Sequence, residues 1–356
     1  MRDPRSDCAA RLLDWYDRNA REMPWRIGPA DRRRGIRPDP YRVWLSEVML
    51  QQTTVAAVDA RFRRFVARWP DVAALAGAAD ADVMAEWAGL GYYARARNLH
   101  ACAQAVSREL GGVFPSDLEG LRALPGIGDY TANAIRAAAF DLPASVVDAN
   151  VERVISRVFT VETPLPAAKR EITEHAAELA DPDRPGDYAQ AIMDLGAVIC
   201  TPRGPACGVC VWAANCKARK AGTQERYPVK AAKKVKPVRH GLAFVILREG
   251  EAGREVFARA RPDNGLLGGM LEVPGTDWLD DASALPDPDL AAPDGLDWRE
   301  VGRVAHVFTH FALELRVFTA QAPQGWSHPD GRFVTAEPLT RSGLPTVMKK
   351  AVKAAL

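Results

Sequence analysis

Between Tyr41 and about Asp141 the apolar positions recur every three or four residues, the spacing of one helical face, and turn signals separate the runs. TTVAAVDARFRRFVARW carries this spacing and stops at Pro70, which cannot continue a helix. ADVMAEWAG predicts a second helix ending in the glycines of GLGYY. ARARNLHACAQAVSREL predicts a third, ending at Gly111 and Gly112. Ser116 and Glu119 form a capping-box pattern, which predicts a short helix opening at Ser116. LPGIG then leads into the alanine-rich helix DYTANAIRAAAF, with further helices near ANVERVISRVF and in the approach to Cys200. This half of the chain reads as all-helical.

The pattern changes after Cys216. KARKAGTQERYPVKAAKKVKPVRH is basic and poor in apolar residues, and it reads as a linker. GLAFVILRE, REVFARAR and FALELRVFTAQ have the β-branched and aromatic content of strands, and LPTVMKKAVKAAL closes the chain as a helix. The expected fold class is multi-domain: an all-α part, then an α+β domain that folds separately. A length of 356 residues agrees, since two or three domains are expected of it.

The net charge of +2 names no partner by itself, but the charge is unevenly spread. Lys217 to Arg239 holds one acid, Glu225, among many bases, whereas Asp277 to Glu300 is rich in aspartate. A basic segment of this kind either attracts phosphate or is a solvated linker. No apolar run approaches the ~20 residues that span a bilayer, and the first residues lack the apolar core of a signal peptide. A cytoplasmic protein with reduced cysteines, not attached to a membrane, is expected. Cys8 and Cys102 read as free thiols in helices.

Four other cysteines, Cys200, Cys207, Cys210 and Cys216, form a C-x6-C-x2-C-x5-C pattern in ICTPRGPACGVCVWAANC. That segment has too little apolar periodicity to order itself around a core. Thiolates are soft ligands that suit an iron–sulfur cluster or zinc. Structural zinc sites usually pair two short knuckles, and only Cys207–Cys210 is one here. A [4Fe–4S] cluster is the expected cofactor, with zinc and free thiols as the alternatives. LPGIG, from Leu124 through Gly126 to Gly128, has the form of a helix–hairpin–helix turn. Its glycines let the backbone approach a phosphate, and the next helix N-terminus offers free N–H groups to an anion. Such contacts position a duplex without reading its sequence.

The hairpin together with the four-cysteine pattern resembles the endonuclease III superfamily of DNA glycosylases, and more narrowly its MutY-type adenine DNA glycosylases. PYRVWLSEVMLQQTTV, WAGLGYYARARNLH, LPGIGDYTANAI, QAIMDLGAVIC, GLLGGMLEVPG and HVFTHFAL carry the likeness, from about Met23 to about Leu313. The resemblance implies a helical glycosylase domain over residues 1–225, with a six-helix barrel at about 41–147 and a cluster domain from 1–40 and 148–225. A basic linker at 226–240 and a Nudix-like domain at 241–356 would follow. The lyase members of the superfamily carry a lysine just after the hairpin. Here Tyr130 stands there, and a phenol cannot form a Schiff base, so the strand should be left intact.

Glu47 lies among apolar neighbours in VWLSEVML. Burial would keep it protonated near neutral pH, and the resemblance assigns it to protonating adenine N7. Asp148, in SVVDANVERV, reads equally as a helix N-cap and as the carboxylate that stabilises an oxocarbenium-like sugar. The family's Asp-Gly-Asn is Asp148-Ala149-Asn150 here, which requires a negative φ at Ala149. Gln51, Gln52 and Tyr92 match the family's probes that enter the duplex where a base is displaced. Trp25, Arg26, Gln190 and Asp194 match positions lining the adenine pocket, and an arginine-rich insertion at about residues 28–37 follows them. In the C-terminal domain Phe308, Thr309 and His310 match a Phe-Ser-His loop that recognises 8-oxoguanine. Leu271 and Val273 stand where the family commonly has aromatic residues, and a phosphohydrolase-type Nudix box is missing from the sequence. The implied protein is a monomeric, monofunctional glycosylase acting on double-stranded DNA with adenine opposite 8-oxoguanine or guanine. A thymine mismatch glycosylase and a non-catalytic iron–sulfur DNA-binding protein are the rival readings.

Overall fold

The computed structural model describes residues 4–232, 235–251, 253–262, 265–339 and 342–356. The chain divides near Ala232 into two compact units, helical before it and α+β after it. Among the described residues no helix is long and apolar enough to cross a membrane.

The first unit opens with α1 (Pro4–Asn19) and a short α2 (Pro29–Arg33), followed by α3 (Pro40–Leu50) and α4 (Val55–Arg68). Next come α5 (Val72–Ala76), α6 (Asp80–Trp87), α7 (Ala94–Glu109), α8 (Leu118–Ala123) and α9 (Asp129–Phe140). The rest is α10 (Ala149–Phe159), α11 (Lys169–Glu178), α12 (Pro185–Val198) and α13 (Lys217–Lys220). Two large apolar cores hold it, with a smaller cluster of Ala134, Ala137, Val146 and Ala189 between α9 and α12. One, built on Trp44, Phe62, Phe65 and Trp87, gathers α3 to α9. The other, built on Leu12, Tyr16, Ile155, Ile192 and Trp212, gathers α1, α10, α11, α12 and the cysteine loop.

Local chemistry explains where the helices start and stop. Asp39, Thr54 and Asp71 cap α3, α4 and α5 by accepting backbone N–H groups, and Pro40 opens α3 with its φ already helical. The capping box at Ser116 is displaced by one residue. Asp117 is the N-cap of α8, because its carboxylate reaches the Gly120 N–H at 2.7 Å and satisfies an orphan donor. The arginine-rich insertion folds as α2. Buried Arg32 ties it to Asp141 at 2.8 Å and Asp187 at 3.1 Å, so the insertion is anchored to the ends of α9 and α12.

The expected linker is also shorter than its composition suggests. Ala218 and Tyr227 are buried, and Leu165 donates to the Val229 carbonyl at 2.9 Å. Arg157 holds the Gln224 carbonyl at 2.7 Å, so this basic stretch is pinned to the helical unit. Positions 233 and 234 lie outside the described residues, and the first strand begins at Val238 rather than 241.

The second unit is built on a mixed sheet of β1 (Val238–Gly250), β2 (Gly253–Ala260), β3 (Leu271–Glu272), β4 (Arg299–Val307), β5 (Ala312–Gln321) and β6 (Gly331–Thr335). Its order is β3-β2-β1-β5-β4, with β6 on β2, and β1 and β5 run parallel. Two helices accompany it, α14 (Pro288–Ala291) and α15 (Thr346–Ala355). Ala243, Val245 and Leu247 pack on one side with Val347 and Val352. Leu242 and Phe244 pack on the other with Phe318 and Trp298. Both faces of β1 are therefore covered, which is why GLAFVIL is continuously apolar rather than alternating.

Within the helical unit, one close approach fixes the start of α10, next to Asp148. At Gly196 of α12, a Cβ would lie 2.7 Å from the Asn150 Cβ and 3.0 Å from its carbonyl oxygen. Helices α10 and α12 cross too closely there for any side chain. Gly196→Ala should therefore lower stability by about 1–3 kcal/mol, read as an earlier urea midpoint. A midpoint equal to wild type would show that the crossing is not tight.

Candidate active site

A cavity of about 1000 Å³ opens in the helical unit where α3, α9, α12 and the N-terminus of α10 meet. Helix α3 brings Glu47 into it. Tyr41, Val43, Trp44, Leu45, Val48 and Met49 bury the rest of that helix, so Glu47 is a carboxyl set in an apolar wall. Tyr130 faces it from the first turn of α9; its hydroxyl lies toward the Met193 sulfur at 3.9 Å and close enough to Glu47 to favour the ionised carboxylate.

Burial is the largest influence on Glu47 and raises it from the ordinary 4.5 to about 7. Asp148 pushes in the same direction, while the Tyr130 hydroxyl and the positive charge of Arg26 hold it back. Tyr130 itself stands well above a normal phenol, through burial first and then the charges of Glu47 and Asp148. It therefore remains a neutral donor. Asp148 is the N-cap of α10: one oxygen accepts from the Val151 N–H at 2.7 Å, the other from the Asn150 amide at 2.9 Å. Its two readings from sequence are thus compatible, since the capping residue also lines the cavity. Ala149 is the first residue of α10 and has no positive φ, so alanine fits there without strain.

Trp25, Arg26 and Gln190 line the cavity. Trp25 packs edge-on against Phe62, and the Gln190 amide donates to the Gly186 carbonyl at 3.2 Å. Asp194 does not line it. Fully buried behind Arg26, Asp194 takes one guanidinium nitrogen with both oxygens at 2.9 Å and the Arg21 N–H at 3.1 Å. It orients the arginine rather than touching the cavity. Gln51 and Gln52 sit at the rim, where Gln51 donates to the Thr131 hydroxyl at 3.3 Å. Tyr92 lies outside the cavity wall and is 57% exposed.

The hairpin occupies residues 124–128 between α8 and α9. Leu124 is buried, and the Ile127 N–H closes the turn on its carbonyl at 3.2 Å. Gly126 has φ +75°, and a Cβ there would meet the Asn98 Cβ at 2.8 Å, so both the turn and its packing on α7 require glycine. Gly128 caps α9 with no side-chain hydrogen bond and open space beside it. Sequence reasoning missed Asn150, Glu152 and Lys169, which also line the cavity. Glu152 could have been found, being one helical turn beyond Asp148. Lys169 arrives only through tertiary folding and carried no local signal.

Cys200, Cys207, Cys210 and Cys216 line a second, small cavity. Buried Arg157 donates to the Cys200 sulfur at 3.2 Å and also braces the carbonyls of Thr201 and Pro202. Backbone N–H groups of Trp212, Ala218 and Arg219 point at Cys210 and Cys216, and the Gln224 amide at Cys207. Burial pushes Cys210 up to about 11 and Cys216 above an ordinary thiol, and these donors offset only part of that; four thiols converging in one recess could hold a metal–sulfur centre. Among the described residues no group of three or more His, Cys, Asp or Glu is placed to hold a single metal ion.

Within the second unit, Phe308, Thr309 and His310 form the turn between β4 and β5. The Phe308 N–H donates to the Phe311 carbonyl at 2.8 Å, and Lys236 donates to the Phe308 carbonyl at 2.6 Å. Phe308 stacks on Trp278, which leaves Thr309 and His310 exposed at the tip. Leu271 lies in β3, and Val273 is buried beside it.

Two family models match the chain: "HhH-GPD superfamily base excision DNA repair protein" over residues 45–182, and "NUDIX domain" over residues 243–354. The adenine DNA glycosylase of Homo sapiens is 33% identical, over 96% of this chain and 72% of its own length. That of Mycolicibacterium smegmatis (strain ATCC 700084 / mc(2)155) is 39% identical, over 59% of this chain and 69% of its own. Among solved structures, a thermostable thymine-DNA glycosylase is 27% identical with a TM-score of 0.54. It covers 61% of this chain and 97% of its own.

The electrostatics of Glu47 make a pH prediction. Its raised value means the folded chain binds a proton that the unfolded chain has released, so stability falls as pH rises from about 4.5 through about 7. Glu47→Gln should flatten that slope in thermal unfolding. Tyr130→Phe, which removes a hydroxyl that favours the ionised form, should move the Glu47 midpoint upward in a carboxyl NMR titration. A wild-type midpoint in the ordinary glutamate range would contradict this electrostatic account.

Proposed function

The chain belongs to the adenine DNA glycosylases of the HhH-GPD superfamily, base-excision repair enzymes that cleave the N-glycosyl bond of adenine in DNA, and on that premise we propose which residues carry the reaction. The observation that carries the proposal is Glu47. A carboxyl with its pKa raised to about 7 sits in a cavity that also holds Asp148.

Adenine turned out of the duplex enters this cavity, and the Glu47 carboxyl gives its proton to N7. The C1′–N9 bonding pair then withdraws into a purine that no longer carries full negative charge. General acid catalysis of this kind is worth ~10²- to 10⁴-fold. The sugar is left oxocarbenium-like, and Asp148, fixed by its two N–H donors, stabilises the positive charge from beneath until water attacks C1′. Tyr130 stands where a nucleophilic lysine would be needed for strand cleavage, so the product is an intact strand with an abasic site. Arg26, oriented by Asp194, together with Trp25 and Gln190, shapes the adenine pocket. Gln51, Gln52 and Tyr92 enter the duplex and offset part of the unstacking cost. The hairpin Leu124–Gly126–Gly128 and the open N-terminus of α9 take a backbone phosphate.

Adenine is a normal base, so selectivity must come from the base opposite. In this reading the Nudix-like unit supplies it, with the exposed Thr309 hydroxyl and His310 hydrogen-bonding 8-oxoguanine beside Phe308. Adenine opposite guanine is the secondary substrate, and the protein works as a monomer. Cys200, Cys207, Cys210 and Cys216 would hold a [4Fe–4S] cluster, and their shared cavity with its N–H donors supports that ligand set. When bound, the cluster supplies a rigid cross-link for a segment without a core of its own.

Incubation with duplexes carrying adenine opposite 8-oxoguanine, adenine opposite thymine, or thymine opposite guanine tests the reading. Alkali-dependent cleavage is expected at the adenine of the first duplex, and Glu47→Gln should reduce it by ~10²- to 10⁴-fold. Purified protein should contain iron and acid-labile sulfide in equal amounts. Cleavage without alkali would contradict the role given to Tyr130. Wild-type activity in Glu47→Gln would remove Glu47 from the mechanism.

A further inference from the structure

Two residues other than glycine hold the left-handed backbone conformation on neighbouring loops of the helical unit. Gln52, between α3 and α4, has φ +55°, and Tyr92, between α6 and α7, has φ +49°. Such conformations cost of order 1–3 kcal/mol each and persist only where the surroundings over-determine them. Core packing does not demand this of Tyr92, because its side chain is mostly exposed.

Arg95, in the first turn of α7, touches both loops. One guanidinium nitrogen donates to the carbonyls of Val48 at 2.9 Å, Met49 at 3.2 Å and Gln51 at 2.5 Å. The other donates to the Thr53 hydroxyl at 3.4 Å and the carbonyls of Leu90 at 3.1 Å and Gly91 at 3.3 Å. The guanidinium carbon lies 5.2 Å from the Trp87 ring centroid and 5.5 Å from that of Tyr92. The Val48 and Met49 carbonyls end α3 and have no helical donor of their own, so Arg95 also closes the helix that carries Glu47.

We infer that Arg95 is a positioning residue that pre-forms the two probe loops and locks them to the Glu47 helix, so that displacing adenine and presenting it to the acid are one event. The inference rests on the reading that Gln52 and Tyr92 enter the duplex. A planar fork of five donors spread over two terminal nitrogens spans these six acceptors, whereas an ammonium has three donors at a single point. Lysine at this position keeps the charge but releases the loops.

The test is single-turnover excision by the full-length chain from two duplexes. In one, adenine lies opposite 8-oxoguanine. In the other it lies opposite an abasic analogue, where unstacking costs less. Arg95→Lys should lose about 10²-fold on the first duplex and stay close to wild type on the second, with unchanged affinity for undamaged duplex. Thr53→Val, which removes one bond from the same guanidinium, should show the same pattern more weakly and guards against a folding defect in Arg95→Lys. Equal losses on both duplexes, or no loss in either variant, would overturn the inference. Tyr92→Ala separates the two layers. If it excises from both duplexes like wild type, the probe reading itself has failed. If it shows the two-duplex pattern while Arg95→Lys does not, the failure belongs to Arg95 alone.

Discussion

The chemistry proposed for this protein depends on a carboxyl group held away from water. Glu47 is the one acid on a helix whose other faces are sealed by Trp44, Leu45, Val48 and Met49, and its neighbours in the cavity are a neutral phenol and a second carboxylate. Desolvation of the charged form raises its pKa, and nothing nearby is strong enough to reverse the effect. Arg26 could have done so. Its guanidinium is paired with buried Asp194 at 2.9 Å, and its pull on Glu47 is smaller than the effect of burial. The proton that the proposed reaction takes from Glu47 is thus a consequence of packing around α3.

Several features follow from keeping that site open and ordered. Helix α10 must present Asp148 at its N-terminus, and the glycine-only crossing with α12 sets its position. The arginine-rich insertion is anchored through α2 to the ends of α9 and α12, with Arg32 buried against Asp141 and Asp187. On the rim, strained backbone at Gln52 and Tyr92 is held by Arg95. Rigid helices carry the acid and the stabilising carboxylate, while loops carry the groups proposed to meet DNA. That division is expected where precision and access are both needed.

Much of the helical unit was legible because proline, glycine and capping aspartates punctuate it. DYTANAIRAAAF and ANVERVISRVF read as helices and are α9 and α10 to the residue. Local reading failed where the deciding contact was distant. One miss was local: Asp117 rather than Ser116 caps α8, its carboxylate reaching the Gly120 N–H three residues on. The stretch Lys217–Ala231 looked like linker because its composition is polar, yet Arg157 and the carbonyl ladder to Leu165 hold it. Strand β4 was missed because REVGRVAHV alternates imperfectly around an irregularity at Gly302. Strand β6, GRFVT, offers only Phe333 and Val334 in adjacent positions, too short an apolar run to signal a strand. In the cavity, Glu47, Asp148 and Tyr130 were readable from motifs. Lys169, the true place of Asp194 and the reach of Arg95 were not, since each is defined by partners far away in sequence.

If Glu47 drives base loss by protonating N7, a substrate without that atom should expose it. A duplex with 7-deazaadenine opposite 8-oxoguanine keeps the pairing face and the stacking surface but replaces N7 with carbon. Single-turnover excision should slow by ~10²- to 10⁴-fold while binding is retained, and the loss of rate above about pH 7 should disappear. Excision at the rate of adenine, with the same dependence on pH, would contradict the account.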